Sequence, residues 1–242
     1  FLRYKINTNR DKSKIIVLNH TSENIARILN QYRELIYQNQ INGFKPTVYL
    51  NENYQLVHVP IVNFKSYDDY VKNITKISKL KFNYEYYLPE YNFSNFDFKF
   101  PFTYYFSKAL FNHHRVKDKL NKRPWYSQHY FNKGDVLITY KIMEEFIKLV
   151  KLKNKLAIIT IMPTCRDFQY FKNNNEFIYK PLTNLLTKNN IYHIDFGMEL
   201  MKRKDSKNFK NWFTKCSGHP NKYGYKIISD IFVESIKKII VF

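Results

Sequence analysis

Residues 155–163 read "KLAIITIMP", a run of aliphatic and β-branched residues that ends at Pro163. Apolar side chains at consecutive rather than alternate positions predict a strand covered on both faces, as in parallel sheet. The stretch before it, "VLITYKIMEEFIKLVKL" at 136–152, places its apolar groups at helical spacing. Beyond it the pattern predicts a second helix over roughly 175–188, a strand in "NIYHIDF" at 190–196, and a closing helix in "YGYKIISDIFVESIKKI" at 223–239. Helix, strand, helix, strand, helix is the rhythm of parallel βαβ units. The expected fold is therefore α/β, a three-layer, doubly wound and mostly parallel sheet.

Further out, "KIIVL" at 14–18 reads as another buried strand. It is followed by the polar turn "NHTSEN" and a helical pattern carrying Ile25, Ile28, Leu29, Tyr32, Leu35 and Ile36 on one face. Residues 45–63 predict two short strands joined at "NEN", the second ended by Pro60. From about 64 to 134 the pattern is irregular and rich in aromatics, and we read it as an insertion with a helix near 103–120. No linker divides the chain, so residues 1–242 are taken as one domain.

Composition narrows the function classes. Hydrophobic residues make up 44% and aromatic residues 18% of the chain, enough for a core and too much for a disordered segment. The net charge of +20 points toward polyanions. The lysines are scattered, however, and no basic-aromatic repeat accompanies them, so nucleic acid is not the expected partner. Lysine, asparagine and isoleucine are abundant while glycine is scarce, the bias of an AT-rich coding sequence. No apolar run approaches the length of a membrane span. Two cysteines, Cys165 and Cys216, make neither a metal site nor a disulfide framework, and their spacing does not decide whether they pair. Sequons at Asn19, Asn73 and Asn92 are expected by chance in so asparagine-rich a chain.

Open parallel sheets carry their chemistry in the loops at the carboxyl ends of strands. Here those loops are "NHTS" at 19–22, "PTCRD" at 163–167, and the segment that runs from Asp195 to His219. His219 stands in "CSGHPNKYGYKIISDIF", just ahead of the closing helix. The positive end of a helix dipole favours the neutral form of an imidazole, and a neutral imidazole can take a proton from a hydroxyl. Pro220 suits the entry to that helix, and Asn221 is placed to cap it.

"GHPNKYGYKIISDIF" resembles the last conserved block of the SGNH (GDSL-type) hydrolases, where a histidine precedes a glycine and an apolar helix. The strand ending in Pro163 and the strand ending at Asp195 are similar to the two strands before that block. "GFKPTVYLNENYQLVHVPI" is similar to a lysine-proline hairpin of some members. The resemblance implies a flavodoxin-like α/β domain, a serine-type ester hydrolase or acyl-ester transferase acting on an O-acyl group of a carbohydrate or lipid. It implies His219 as general base, Asn42 in "QING" as oxyanion donor with Asn39 as its rival, and no metal or organic cofactor.

The family's glycine-aspartate-serine turn does not occur in the chain. Either "KIIVLNHTSENIARIL" is a later block and the serine lies upstream of Phe1, or it is a divergent first block whose hydroxyl is Thr21 or Ser22. The position of the family's aspartate, three residues before the histidine, is Cys216, and Asp195 is a distant candidate for the orienting acid. Cys216 could also serve as an activated thiol nucleophile. The rival readings are a non-catalytic SGNH-like binding domain that lacks the nucleophile, and a basic protein associated with nucleic acid.

Overall fold

The computed structural model describes residues 12–30, 46–59, 123–216 and 219–240, with short pieces between 65 and 107. The chain is mixed α/β and divides into two compact units, one of residues 1–24 and 130–242, the other of residues 25–129.

The first unit holds a three-stranded parallel sheet in the order β1-β4-β5. β1 spans Ile15–Thr21, β4 spans Leu156–Met162 and β5 spans His193–Asp195. β1 and β4 run in register from Ile15 opposite Leu156 to Thr21 opposite Met162. β5 adds His193, Ile194 and Asp195 opposite Ile159, Thr160 and Ile161. The central strand therefore carries the apolar run, and Ile158, Ile159 and Ile161 are wholly buried. β1 is longer than the expected 14–18, because Asn19, His20 and Thr21 continue the ladder instead of turning away. The turn begins only at Ser22, whose amide still bonds the Met162 carbonyl at 3.0 Å.

Helix α3, Lys133–Lys151, precedes β4 and packs on β4 and β1. Its seven buried residues include Val136, Tyr140, Met143, Phe146 and Val150, the stripe that the spacing predicts. Asn132 caps it by accepting from the Gly134 amide at 2.9 Å. On its outer face Glu144 accepts from Lys141, Lys148 and Tyr140. Those bonds hold the carboxyl below its ordinary range although burial acts the other way.

After β4 the helix expected over 175–188 is found only from Lys180, and a helix that the pattern does not predict precedes it. α4 runs Cys165–Asn174 and α5 runs Lys180–Lys188. Asn175 ends α4 in a left-handed conformation (φ 56°). Pro181 then starts α5, where a missing amide costs nothing. α6 follows β5 at Phe196–Met201, a 3₁₀ helix covers Ser206–Trp212, and α7 covers Lys222–Ile240. Phe168 of α4 packs against this last region, stacked on Phe209 at 5.4 Å and edge-on to Trp212 at 5.5 Å.

The second unit contains an antiparallel hairpin, β2 Thr47–Leu50 and β3 Leu56–Val59, as the sequence predicts for 45–63. Asn51 closes it, its side-chain oxygen accepting from the Asn53 and Gln55 amides. The Thr47 hydroxyl donates to the Ile28 carbonyl at 3.0 Å. Two short helices lie at the changeovers between the units, α1 at Asn24–Ile28 and α2 at Ser127–Phe131. Most of the helix expected near 103–120, and the helical positions beyond Asn30, lie outside the described residues.

Candidate active site

At the carboxyl ends of the parallel strands lie several buried polar side chains of the first unit, among them His20, Ser22 and Asp167. At the end of β1, Ser22 is wholly buried and its hydroxyl donates to Asp167 Oδ2 at 2.5 Å. Asp167 lies in the first turn of α4 and is also wholly buried. The same carboxylate oxygen accepts the Thr164 amide at 2.6 Å and the Thr164 hydroxyl at 3.0 Å. The amide bond is the returning arm of a capping box, so the carboxylate that starts α4 also fixes the end of β1.

His20, one residue before Thr21, is buried, and its Nε2 lies 3.1 Å from the Tyr130 hydroxyl. That hydroxyl donates to the Ser22 carbonyl at 2.8 Å, which leaves His20 Nε2 as the donor of the pair. Burial lowers the imidazole to about 4. Burial raises the Tyr130 phenol well above its usual range, and the Asp167 charge adds to the rise. The network is a neutral histidine, a neutral phenol and a hydrogen-bonded carboxylate arranged around one strand end.

Alternation along β1 sets Val17, Asn19 and Thr21 on the face opposite His20. On that face a groove of about 260 Å³ runs between the sheet and α7, lined by apolar groups that include Val17, Met162, Phe196, Ile228 and Phe232. The Thr160 hydroxyl donates to Asn19 Oδ1 at 2.8 Å on its floor. Thr21, half-buried, follows Val17 and Asn19 on the groove side, whereas Ser22 turns its hydroxyl to Asp167.

His219 is exposed and precedes α7. Two devices hold its surroundings. A disulfide joins Cys216 to Cys165, the first residue of α4, with Cα atoms 4.9 Å apart. Asn221 is the second: its amide N–H donates to the Trp212 carbonyl at 2.8 Å and its Nδ2 donates to the Asn211 carbonyl at 2.7 Å. Its Oδ1 accepts from the Gly224 amide at 2.9 Å, capping α7 as the sequence predicts. Gly224 is required by close approach, since a Cβ there would drive into the Trp212 carbonyl and sit 3.1 Å from Pro220 Cβ. Asp205 braces the same region, accepting from Trp212 Nε1 at 3.2 Å and the Tyr223 hydroxyl at 3.1 Å.

The disulfide gives the expected residues their relation. Cys216 is three positions from His219, and Cys165 is two positions from Asp167, the partner of Ser22. The bond thus links the segment that leads to His219 to the first residue of α4, the helix that follows β4. In this bonded state Cys216 has no thiol and so cannot be the nucleophile considered for it. Asp195 caps α6 through the Met198 amide at 3.1 Å and accepts the Tyr179 hydroxyl at 2.8 Å. Burial raises its carboxyl, with these bonds acting in the opposite direction. Asn42, Asn39, Ser217 and Gly218 lie outside the described residues.

Sequence reasoning missed Asp167 and Tyr130. Asp167 had a signal, since Thr164 and Asp167 stand at capping-box spacing directly after a strand-ending proline. Among the described residues no cluster of three or more His, Cys, Asp or Glu side chains is placed to hold a metal ion. Among the same residues no helix is long and apolar enough to cross a membrane. No family model matches the chain, and no curated protein or solved structure matches it either.

Proposed function

We propose that the chain is an ester hydrolase or acyl-ester transferase of SGNH type, acting on an O-acyl group carried by a carbohydrate or lipid. The architecture proposed with it is the three-layer, doubly wound sheet of that family, which the parallel order β1-β4-β5 supports. The observation that carries the reading is the exposed His219, tethered through Cys216 to the first residue of α4 and followed by an α7 start fixed by Asn221. This is the sheet end at which open α/β folds bind and react.

In the proposed reaction a hydroxyl attacks the ester carbonyl while His219 takes its proton. The imidazolium then protonates the departing alcohol, leaving an acyl-enzyme. Water, or an acceptor alcohol in the transferase case, attacks the acyl-enzyme with His219 again as base. Thr21 is the nucleophile the geometry favours, because it faces the side of the sheet that α7 covers and Ser22 is wholly buried. The apolar groove on that face suits the acyl chain.

A fluorophosphonate tests this reading, since it labels only an activated nucleophile. Labelling at Thr21 that is lost in His219→Ala supports it, and a chain that takes no label sinks it. One observation favours a second reading, a binding domain without catalysis: the Ser22 hydroxyl is buried and directed to a carboxylate. That reading is supported if glycan or lipid esters bind without turnover and without labelling.

A further inference from the structure

Both cysteines of the chain are used in one bond, and the two sulfurs stand in different surroundings. Cys165 is wholly buried at the start of α4, whereas Cys216 is half-buried. From Asn221 onward the chain is held by bonds of 2.7 to 2.9 Å to Trp212, Asn211, Gly224 and Tyr225. Among the described residues around Cys216, the Thr214 amide reaches the His219 carbonyl at the longer distance of 3.4 Å, beside the isolated bridge between Phe213 and Pro220.

We propose that the Cys165–Cys216 bond is a redox-sensitive clasp that positions His219 and can be opened without unfolding the unit that carries it. A dithiol reductant attacks the more accessible Cys216 sulfur as thiolate, forming a mixed disulfide and releasing Cys165 as a thiol once it takes up a proton. The second thiol of the reductant then attacks the mixed disulfide, leaving Cys216 as a thiol and the reductant as its own disulfide. Two electrons and two protons pass to the protein, and the reductant is oxidised by the same amount. Thr214, Lys215, Cys216 and His219 lose their anchor on α4, while Asn221 keeps the start of α7 in place. The clasp rests on these contacts and not on the ester-hydrolase reading.

Hydrogen exchange on the full chain tests it, read before and after treatment with a dithiol under native conditions, with alkylation counting the thiols released. The expected result is two alkylated thiols, loss of protection at the Thr214 amide, which donates to the His219 carbonyl, and retained protection at Ile158–Ile161 of β4 and at Tyr225. The Cys165→Ser/Cys216→Ser double variant should exchange like the reduced protein. Three results would each overturn the proposal: a bond that resists the dithiol in the folded protein, unchanged exchange at the Thr214 amide after full reduction, or protection lost through β4 as well. An oxidised protein that takes no fluorophosphonate but opens on reduction defeats the ester reading and leaves the clasp standing.

Discussion

Ser22 and Asp167, 145 positions apart in the chain, share a buried hydrogen bond of 2.5 Å that ties the end of β1 to the first turn of α4. Ser22→Ala leaves a buried carboxylate short of a donor, with Thr164 still bonded to the same oxygen. The expected cost is about 1–3 kcal/mol of unfolding free energy, measured by denaturant titration. Ser22→Thr should recover part of it if the hydroxyl can still reach Asp167. A Ser22→Ala variant as stable as the parent would show that the bond contributes nothing net.

His20 makes stability pH-dependent in a defined direction. Its folded value of about 4 lies below the ordinary 6.5, so between those values the unfolded chain binds the extra proton. The contribution is complete above about 6.5 and is lost as pH falls toward 4, amounting to on the order of 3 kcal/mol. Denaturant titrations from pH 7 to pH 4 should show the parent losing stability faster than His20→Gln. Parallel profiles for the two proteins would disprove the assignment.

Gly224→Ala should destabilise the first unit by about 1–3 kcal/mol, because its Cβ meets a backbone carbonyl that cannot swing aside. Gly197→Ala should do the same, since its Cβ would meet the Tyr179 hydroxyl and the Phe177 ring. Gly134→Ala is the control, with only the Asn132 Oδ1 at 3.2 Å in its way. Thermal melts of the three variants order these effects, and equal shifts for all three would contradict the packing argument.

Asn221 does two jobs that substitution can separate. Asn221→Ala removes the cap on Gly224 and the bond to the Asn211 carbonyl, and should cost about 1–2 kcal/mol. Asn221→Asp keeps an oxygen for the Gly224 amide and loses only the Nδ2 donor, so it should cost less. Equal losses in denaturant titration would show that the Asn211 bond, and not the cap, carries the effect.

The sheet and its two longest helices were legible because their signals are local. "KLAIITIMP" and "KIIVL" are apolar runs of strand length, and α3 and α7 repeat their apolar residues at helical spacing. The helix after β4 does not show in the pattern, because α4 mixes aromatic and polar residues, starts from the polar turn at Thr164 and ends in "NNN". The left-handed Asn175 and Pro181 are what divide α4 from α5. At the site, the Asn221 cap was readable because cap and helix are adjacent in sequence. The Cys165–Cys216 and Ser22–Asp167 pairs were not, since both join residues that only the folded sheet brings together and spacing alone carries no trace of either.

Trp212 touches nearly everything that fixes the approach to α7. Its carbonyl takes the Asn221 amide, its indole donates to Asp205, and its ring meets Phe168. The chain has one other tryptophan, Trp125, in the second unit. A Trp125→Phe protein would therefore keep a single tryptophan, beside the His219 turn, and its emission, excited at wavelengths that the tyrosines do not absorb, would follow movement of that turn in real time without any added dye.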